Sequence, residues 1–129
     1  MILNLRVDHK IADIQSMEII SADIDEIFLE LQEKYSITEY IEISTCNRKE
    51  YYIHSQYILE DDELLSHDNQ SIIIDYGQSA VMHLLRMTTG LESMIVGEDQ
   101  ILGQVKDATH KAEKERHCGK VLDAIFTKA

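Results

Sequence analysis

The stretch Glu39-Tyr40-Ile41-Glu42-Ile43-Ser44-Thr45-Cys46-Asn47-Arg48-Lys49-Glu50-Tyr51-Tyr52-Ile53-His54 decides the fold. Tyr40, Ile41 and Ile43 read as a strand over Glu39 to Ser44, and Tyr51-Tyr52-Ile53 as another over Glu50 to His54. β-Branched and aromatic side chains suit a pleated, half-buried surface. Only Thr45 to Lys49 separates the two, so the connection is tight, and Asn47 tolerates left-handed backbone angles there.

Working outward, Ile2 to Val7 alternates in part and reads as a first strand. Ile24, Ile27, Phe28, Leu31 and Tyr35 line one face of an amphipathic helix that Ser21 or Asp23 can cap. Glu60-Asp61-Asp62-Glu63 is a solvated acidic run on a short helix or loop, and Ile72-Ile73-Ile74 a buried fourth strand. Beyond Gly77, Val81, Leu84, Leu85 and Thr88 define a helix face, with His83 one residue off it, and Gly90 ends the element. Leu91 to Gly97 reads as a loop before a long helix that starts near Glu98, striped by Ile101, Leu102, Val105, Ala108 and Ala112. Gly119 breaks or bends that helix. Val121, Leu122, Ile125 and Phe126 then form an apolar face with nothing after it to pack upon, which reads as a cut rather than a natural end. The order β-α-β-β-α-β with further C-terminal helices predicts a ferredoxin-like α+β sandwich.

A chain of 129 residues, 44% hydrophobic, suffices for one domain with a real core. No apolar run approaches the roughly 20 residues that span a bilayer, and Met1 to Lys10 is neither signal peptide nor anchor, so a soluble cytoplasmic protein is expected. Cys46 and Cys118 lie far apart and outside any CxxC pair, which argues against a disulfide framework or zinc module. Residues 1–102 carry 6 Lys+Arg against 20 Asp+Glu, whereas residues 103–129 carry 6 against 4. So acidic a surface is a poor generic binder of phosphate backbone, and an RNA ligand would need a local site. The five glycines form neither GxGxxG nor GxxxxGK[ST], so no nucleotide-phosphate loop is visible.

Ser44-Thr45-Cys46-Asn47-Arg48 is the densest reactive cluster. A cysteine leaving a strand into a tight turn exposes its sulfur, turn amides can face a developing oxyanion, and a nearby cation lowers the thiol pKa. Arg48 can also pair with a substrate carboxylate. Taken alone, the same residues favour a half-buried structural cysteine flanked by polar turn residues. His83 can hold a thiolate or deliver a proton, or be an ordinary boundary histidine. Glu98, Asp99, Gln100 and Gln104 crowd the first turns of the long helix, which suits a polar ligand or a plain N-terminal charge complement. His110, His117 and Cys118 have poor chelating geometry, and no metal site is expected.

Two signatures carry a resemblance. Ser44-Thr45-Cys46-Asn47-Arg48-Lys49-Glu50-Tyr51-Tyr52 resembles the STCNRxE[YV] signature of glutamyl-tRNA reductases, and Gly90 to Lys106, GLESMIVGEDQILGQVK, resembles their second signature. Asp8-His9-Lys10-Ile11-Ala12 is similar to their N-terminal SHKTAP segment; Asp13 replaces its proline, and Asp99 stands where the family often has another. The resemblance implies reduction of the glutamate on tRNA(Glu) to glutamate-1-semialdehyde with NADPH, in tetrapyrrole synthesis. It implies Cys46 as the nucleophile that forms a glutamyl thioester, and His83 near the thioester oxygen or as proton donor. Thr45, Asn47 and Arg48 would hold the glutamyl group, and Ser93, Glu98, Asp99, Gln100 and Gln104 would complete the pocket. Residues 1–117 would be the catalytic domain and 118–129 the start of a spinal helix. The NADPH-binding and dimerisation domains would lie outside the chain, which alone would not complete the reduction. Homodimerisation and transfer of product to the downstream aminomutase are further implications. A Cys/His thiol hydrolase and a non-enzymatic ferredoxin-like ligand- or RNA-binding module are the alternatives.

Overall fold

The computed structural model describes residues 2–8, 14–45, 48–55, 72–88, 101–119, 122, 125 and 126. The elements are β1 (Ile2–Asp8), α1 (Ile14–Tyr35), β2 (Glu39–Ser44), β3 (Arg48–His54), β4 (Ile73–Tyr76), α2 (Gln78–Thr88) and α3 (Ile101–Lys114). The four strands form one sheet in the order β2-β3-β1-β4, with every neighbouring pair antiparallel. Residues 56–71, where the second helix between strands three and four was expected, and the acidic run within them lie outside the described residues.

Alternation along the strands sorts side chains onto two buried faces. Leu3, Leu5 and Val7 of β1 and Tyr51 and Ile53 of β3 pack against Met17, Ile24, Ile27, Phe28 and Leu31 of α1. Phe28 stacks on Tyr51 with ring centroids 4.1 Å apart. On the opposite face, Ile2, Ile41, Ile43 and Tyr52 meet Ala80, Leu84 and Met87 of α2 and Val105 and Ala112 of α3. The fold is therefore mixed α/β, a four-stranded antiparallel sheet between helices.

Several boundaries differ from the sequence reading. Helix α1 begins by Ile14, ahead of the expected caps at Ser21 or Asp23, because Met17 and Ile20 continue the apolar stripe backwards. Strand β3 starts at Arg48 and β4 runs on to Tyr76. The buried face of α2 is Ala80, His83, Leu84 and Met87, while Leu85 is 37% exposed. His83 is thus a core residue rather than one off the buried face, because it finds a polar partner inside while Leu85 does not pack fully. Gly77, at φ 55°, donates its N–H to Ile2 O (2.7 Å) and accepts from Val81 N, turning the chain from β4 into α2.

Helix α3 ends at Lys114, earlier than the expected break at Gly119, and Arg116 turns the backbone at φ 64°. His117 then binds the edge strand: its carbonyl accepts from Tyr40 N (2.7 Å) and its Nδ1 donates to Tyr40 O (2.6 Å). This covers part of an edge that would otherwise offer unpaired backbone groups. The apolar face said to have nothing to pack upon does have a partner within the chain. Leu122 and Phe126 are buried in the α2/α3 layer, and Phe126 meets Tyr52 edge-on at 5.1 Å. No helix among the described residues is long and apolar enough to cross a membrane.

Candidate active site

The β2–β3 connection closes tightly, with Thr45 N–H donating to Arg48 O at 2.9 Å. Cys46 and Asn47, the residues between them in sequence, lie outside the described residues, as do Ser93, Glu98, Asp99 and Gln100. Of the expected site residues, Thr45, Arg48, His83 and Gln104 can be placed.

Arg48, Glu50 and Tyr52 alternate on the face of β3 that α2 covers. Arg48 is 1% exposed and Glu50 fully buried. Arg48 NH1 donates to Glu50 Oε2 at 2.9 Å and to Met87 Sδ at 3.0 Å. His83 Nε2 lies 2.9 Å from Glu50 Oε1, which also accepts from Asn4 Nδ2 at 3.2 Å. One carboxylate thus ties together strand β1, strand β3 and helix α2. Burial alone would raise the Glu50 carboxyl; the hydrogen bond and charge of His83, then the charge of Arg48, outweigh it and hold the group down to about 2. Burial and the Glu50 charge push the Tyr52 hydroxyl well above the ordinary phenol value, so it stays neutral.

Thr45 and Gln104 line a second feature, a cleft of about 360 Å³ between the end of β2 and α3, with Ser44, Asp107 and Lys111. The structure therefore joins Arg48 to His83 through Glu50, and Thr45 to Gln104 across this cleft. The Thr45–Arg48 backbone bond links the two sets. On the far face of the sheet, Lys49 pairs with Glu42 (2.6 Å) and Asp25 (3.0 Å). Burial lowers the Lys49 pKa, but the two carboxylates raise it further, so it stays cationic.

Glu50 and Asn4 are the residues that the sequence reading did not single out. The signal for Glu50 was present as a charged pair at i and i+2, Arg48 and Glu50, which a strand places on one face together with Tyr52. For Asn4 the signal was an amide among inward-facing apolar positions of β1.

A family model described as glutamyl-tRNAGlu reductase, N-terminal domain, matches residues 5–129. Among curated relatives, the glutamyl-tRNA reductase of Methanobrevibacter smithii is 74% identical over 129 residues, all of this chain and 32% of that protein. The one from Bacillus subtilis is 38% identical over 143 aligned residues, covering 99% of this chain and 31% of its own length. The solved structure of glutamyl-tRNA reductase from Methanopyrus kandleri superposes with a TM-score of 0.75 at 30% identity, covering 98% of this chain and 31% of the other. The chain thus spans about a third of the length of the relatives it matches. It belongs to the glutamyl-tRNA reductase N-terminal domain family.

Proposed function

We propose that this chain is the glutamyl-accepting catalytic domain of a glutamyl-tRNA reductase, with Cys46 as the nucleophile. The observation that carries the reading is the buried Arg48–Glu50–His83 network, built on the strand that follows Cys46 and Asn47. In this scheme the Cys46 thiolate attacks the ester carbonyl of glutamyl-tRNA(Glu). A C–S bond forms, the C–O bond to the ribose breaks, and the departing ribose oxygen takes a proton, for which His83 is the donor. From within its buried pair with Glu50, Arg48 lends its charge to the thiolate and the substrate carboxylate, while Thr45, Asn47, Ser93, Glu98, Asp99, Gln100 and Gln104 line the glutamyl pocket. A thioester accepts hydride more readily than an oxygen ester and releases a good leaving group.

NADPH would supply that hydride, yielding glutamate-1-semialdehyde for tetrapyrrole synthesis. The glycines of this chain make no GxGxxG loop, so its own residues do not fit a dinucleotide. In this reading the NADPH-binding and dimerisation domains belong to chain outside residues 1–129. Residues 1–117 form the catalytic domain, and residues 118–129 begin a spinal helix. The antiparallel order β2-β3-β1-β4 supports a ferredoxin-like description of the sheet. A cytoplasmic homodimer that passes its aldehyde to an aminomutase completes the proposal. Lys106, Lys111, Lys114 and Arg116, all exposed, together with Lys120, supply cations for tRNA phosphate in this proposal.

The test is trapping. The chain is incubated with glutamyl-tRNA(Glu), and its intact mass is compared with that of Cys46→Ser. A glutamyl adduct on the wild type alone is expected. No adduct on either would sink the nucleophile assignment, and comparable hydrolysis of unrelated esters would favour a thiol hydrolase.

A further inference from the structure

The hydrogen bonds that converge on Glu50 fix which ring nitrogen of His83 bears a hydrogen. Arginine has no acceptor, so Arg6 NH1 donates both to Asn4 Oδ1, at 2.6 Å, and to Asp75 Oδ2, at 2.5 Å. That orients the Asn4 amide. Its oxygen faces Arg6, and its Nδ2 faces Glu50 Oε1 at 3.2 Å and Tyr51 O at 3.4 Å, both acceptors. Arg48 donates to the other Glu50 oxygen at 2.9 Å. With donors on both its oxygens, Glu50 acts as an acceptor toward its remaining neighbour. His83 Nε2, 2.9 Å from Oε1, must then bear the hydrogen. A neutral His83 is the Nε2–H tautomer, and Nδ1 is its basic nitrogen.

We propose that Arg6 and Asn4, which lie outside both family signatures, are positioning residues of the active site. They hold Glu50 as a pure acceptor, keep His83 in the Nε2–H form, and leave Nδ1 to exchange the proton in acyl transfer. Only the last clause rests on the proposed function. Asn4 is fully buried, and an amide placed in an apolar layer costs free energy unless it is satisfied. Here it is satisfied in the one orientation that serves Glu50. Arg6, with its side chain 11% exposed, is anchored by Asp75 on β4, so the relay runs across β4, β1 and β3 to α2.

The experiment uses the 129-residue chain. Imidazole ¹⁵N spectra report the His83 tautomer, and carboxyl ¹³C spectra follow Glu50 across pH. Among the described residues, the groups facing this pair are Asn4 and Arg6 from β1, Arg48 and Tyr52 from β3, Met87 from α2, Asp75 acting through Arg6, and Arg86 of α2, which shares a pocket with His83, Arg6 and Asp75. In the wild type the Nε2–H form should exceed the other by about tenfold or more, as a hydrogen bond to a charged acceptor allows. N4D sets a second carboxylate against Glu50 Oε1, and two carboxylates so close share a proton. Glu50 should then bind its proton at least about tenfold more tightly, and the Nε2–H excess should fall toward unity. R6M frees the Asn4 amide and should move both readouts the same way by less, whereas R6K retains a donor and should restore them. A wild-type Nδ1–H tautomer, or N4D and R6M spectra identical to the wild type, would overturn the proposal. Should N4D lack a folded amide spectrum, the comparison of R6M with R6K decides. Intact spectra in a chain that takes no glutamyl group would count against the acyl-transfer clause alone.

Discussion

Replacing Glu50 by glutamine tests whether the buried network is held by charge. The substitution keeps the volume but removes the buried carboxylate that pairs with Arg48 at 2.9 Å, a guanidinium that is 1% exposed and cannot shed its proton. It also turns one acceptor into a donor, facing either Arg48 NH1 or the pair His83 Nε2 and Asn4 Nδ2. Breaking a buried ion pair from one side costs about 3–5 kcal/mol, a large part of the roughly 5–15 kcal/mol that holds a domain together. With a urea dependence near 1.5 kcal/mol per molar, the unfolding midpoint should fall by roughly 2–3 M. The control is the double variant Arg48→Met/Glu50→Leu, in which no stranded cation is left. His83 then lacks its acceptor, and Asn4 keeps Tyr51 O. That variant should lose only about 1–3 kcal/mol, less than Glu50→Gln alone. Equilibrium urea unfolding monitored by circular dichroism measures both. A loss below about 1 kcal/mol for Glu50→Gln, or a double variant less stable than the single, would refute the reasoning.

Three further outcomes follow from the same geometry. Glu50 is depressed from 4.5 to about 2, so its contribution is present above pH 4.5 and lost as pH falls toward 2. At 1.36 kcal/mol per unit this is about 3 kcal/mol, and urea midpoints at pH 7, 5 and 3 should fall more steeply for the wild type than for Glu50→Gln; parallel curves would contradict it. Phe126→Ala removes a ring that is 6% exposed and lies edge-on to Tyr52, and should cost about 3 kcal/mol in the same assay. An unchanged midpoint would mean that residues 122–126 do not belong to the core. Gly119→Ala would set a Cβ into the Glu39 carboxylate, forcing Glu39 away from His54, its partner at 2.9 Å. The loss should be about 1 kcal/mol and should vanish in a Glu39→Ala background, as befits a partly exposed pair.

The hairpin was legible because its information is local. Two runs of β-forming residues, separated by a few positions, leave the chain little choice but to turn back on itself. The apolar stripe of α1 was legible for the same reason, though its start was not, since Met17 and Ile20 extend the stripe behind residues that look like caps. The buried face of α2 was misjudged because burial there follows from a partner and not from hydropathy. His83 goes inward because Glu50 is waiting for it, and Leu85 is left partly outside. No local pattern announces that pairing. It exists only once β1 and β3 align Asn4 opposite Tyr52, bringing residues separated by 46 positions into contact.

The cost of such a network bears on why it is there. A well-packed apolar trio between β3 and α2 would serve stability as well or better, because buried ion pairs roughly repay their own desolvation. The surrounding layer already shows the apolar solution, with Ile41, Ile43, Leu84 and Val105 filling adjacent positions. Arg48, Glu50, His83 and Asn4 are therefore poorly explained as packing. What they supply, and leucine would not, is a fixed arrangement of donors with one defined protonation pattern, held where β3 begins, directly after Cys46 and Asn47 in the chain. A guanidinium and an imidazole locked by a common carboxylate cannot drift apart or exchange partners with solvent, which is what a reacting acyl group requires of its neighbours. Under the proposed function, stability and chemistry make opposite demands on the same residues. If the double variant keeps most of its stability while losing the glutamyl adduct, the network belongs to the chemistry; if it keeps the adduct, the ionic design serves the fold alone.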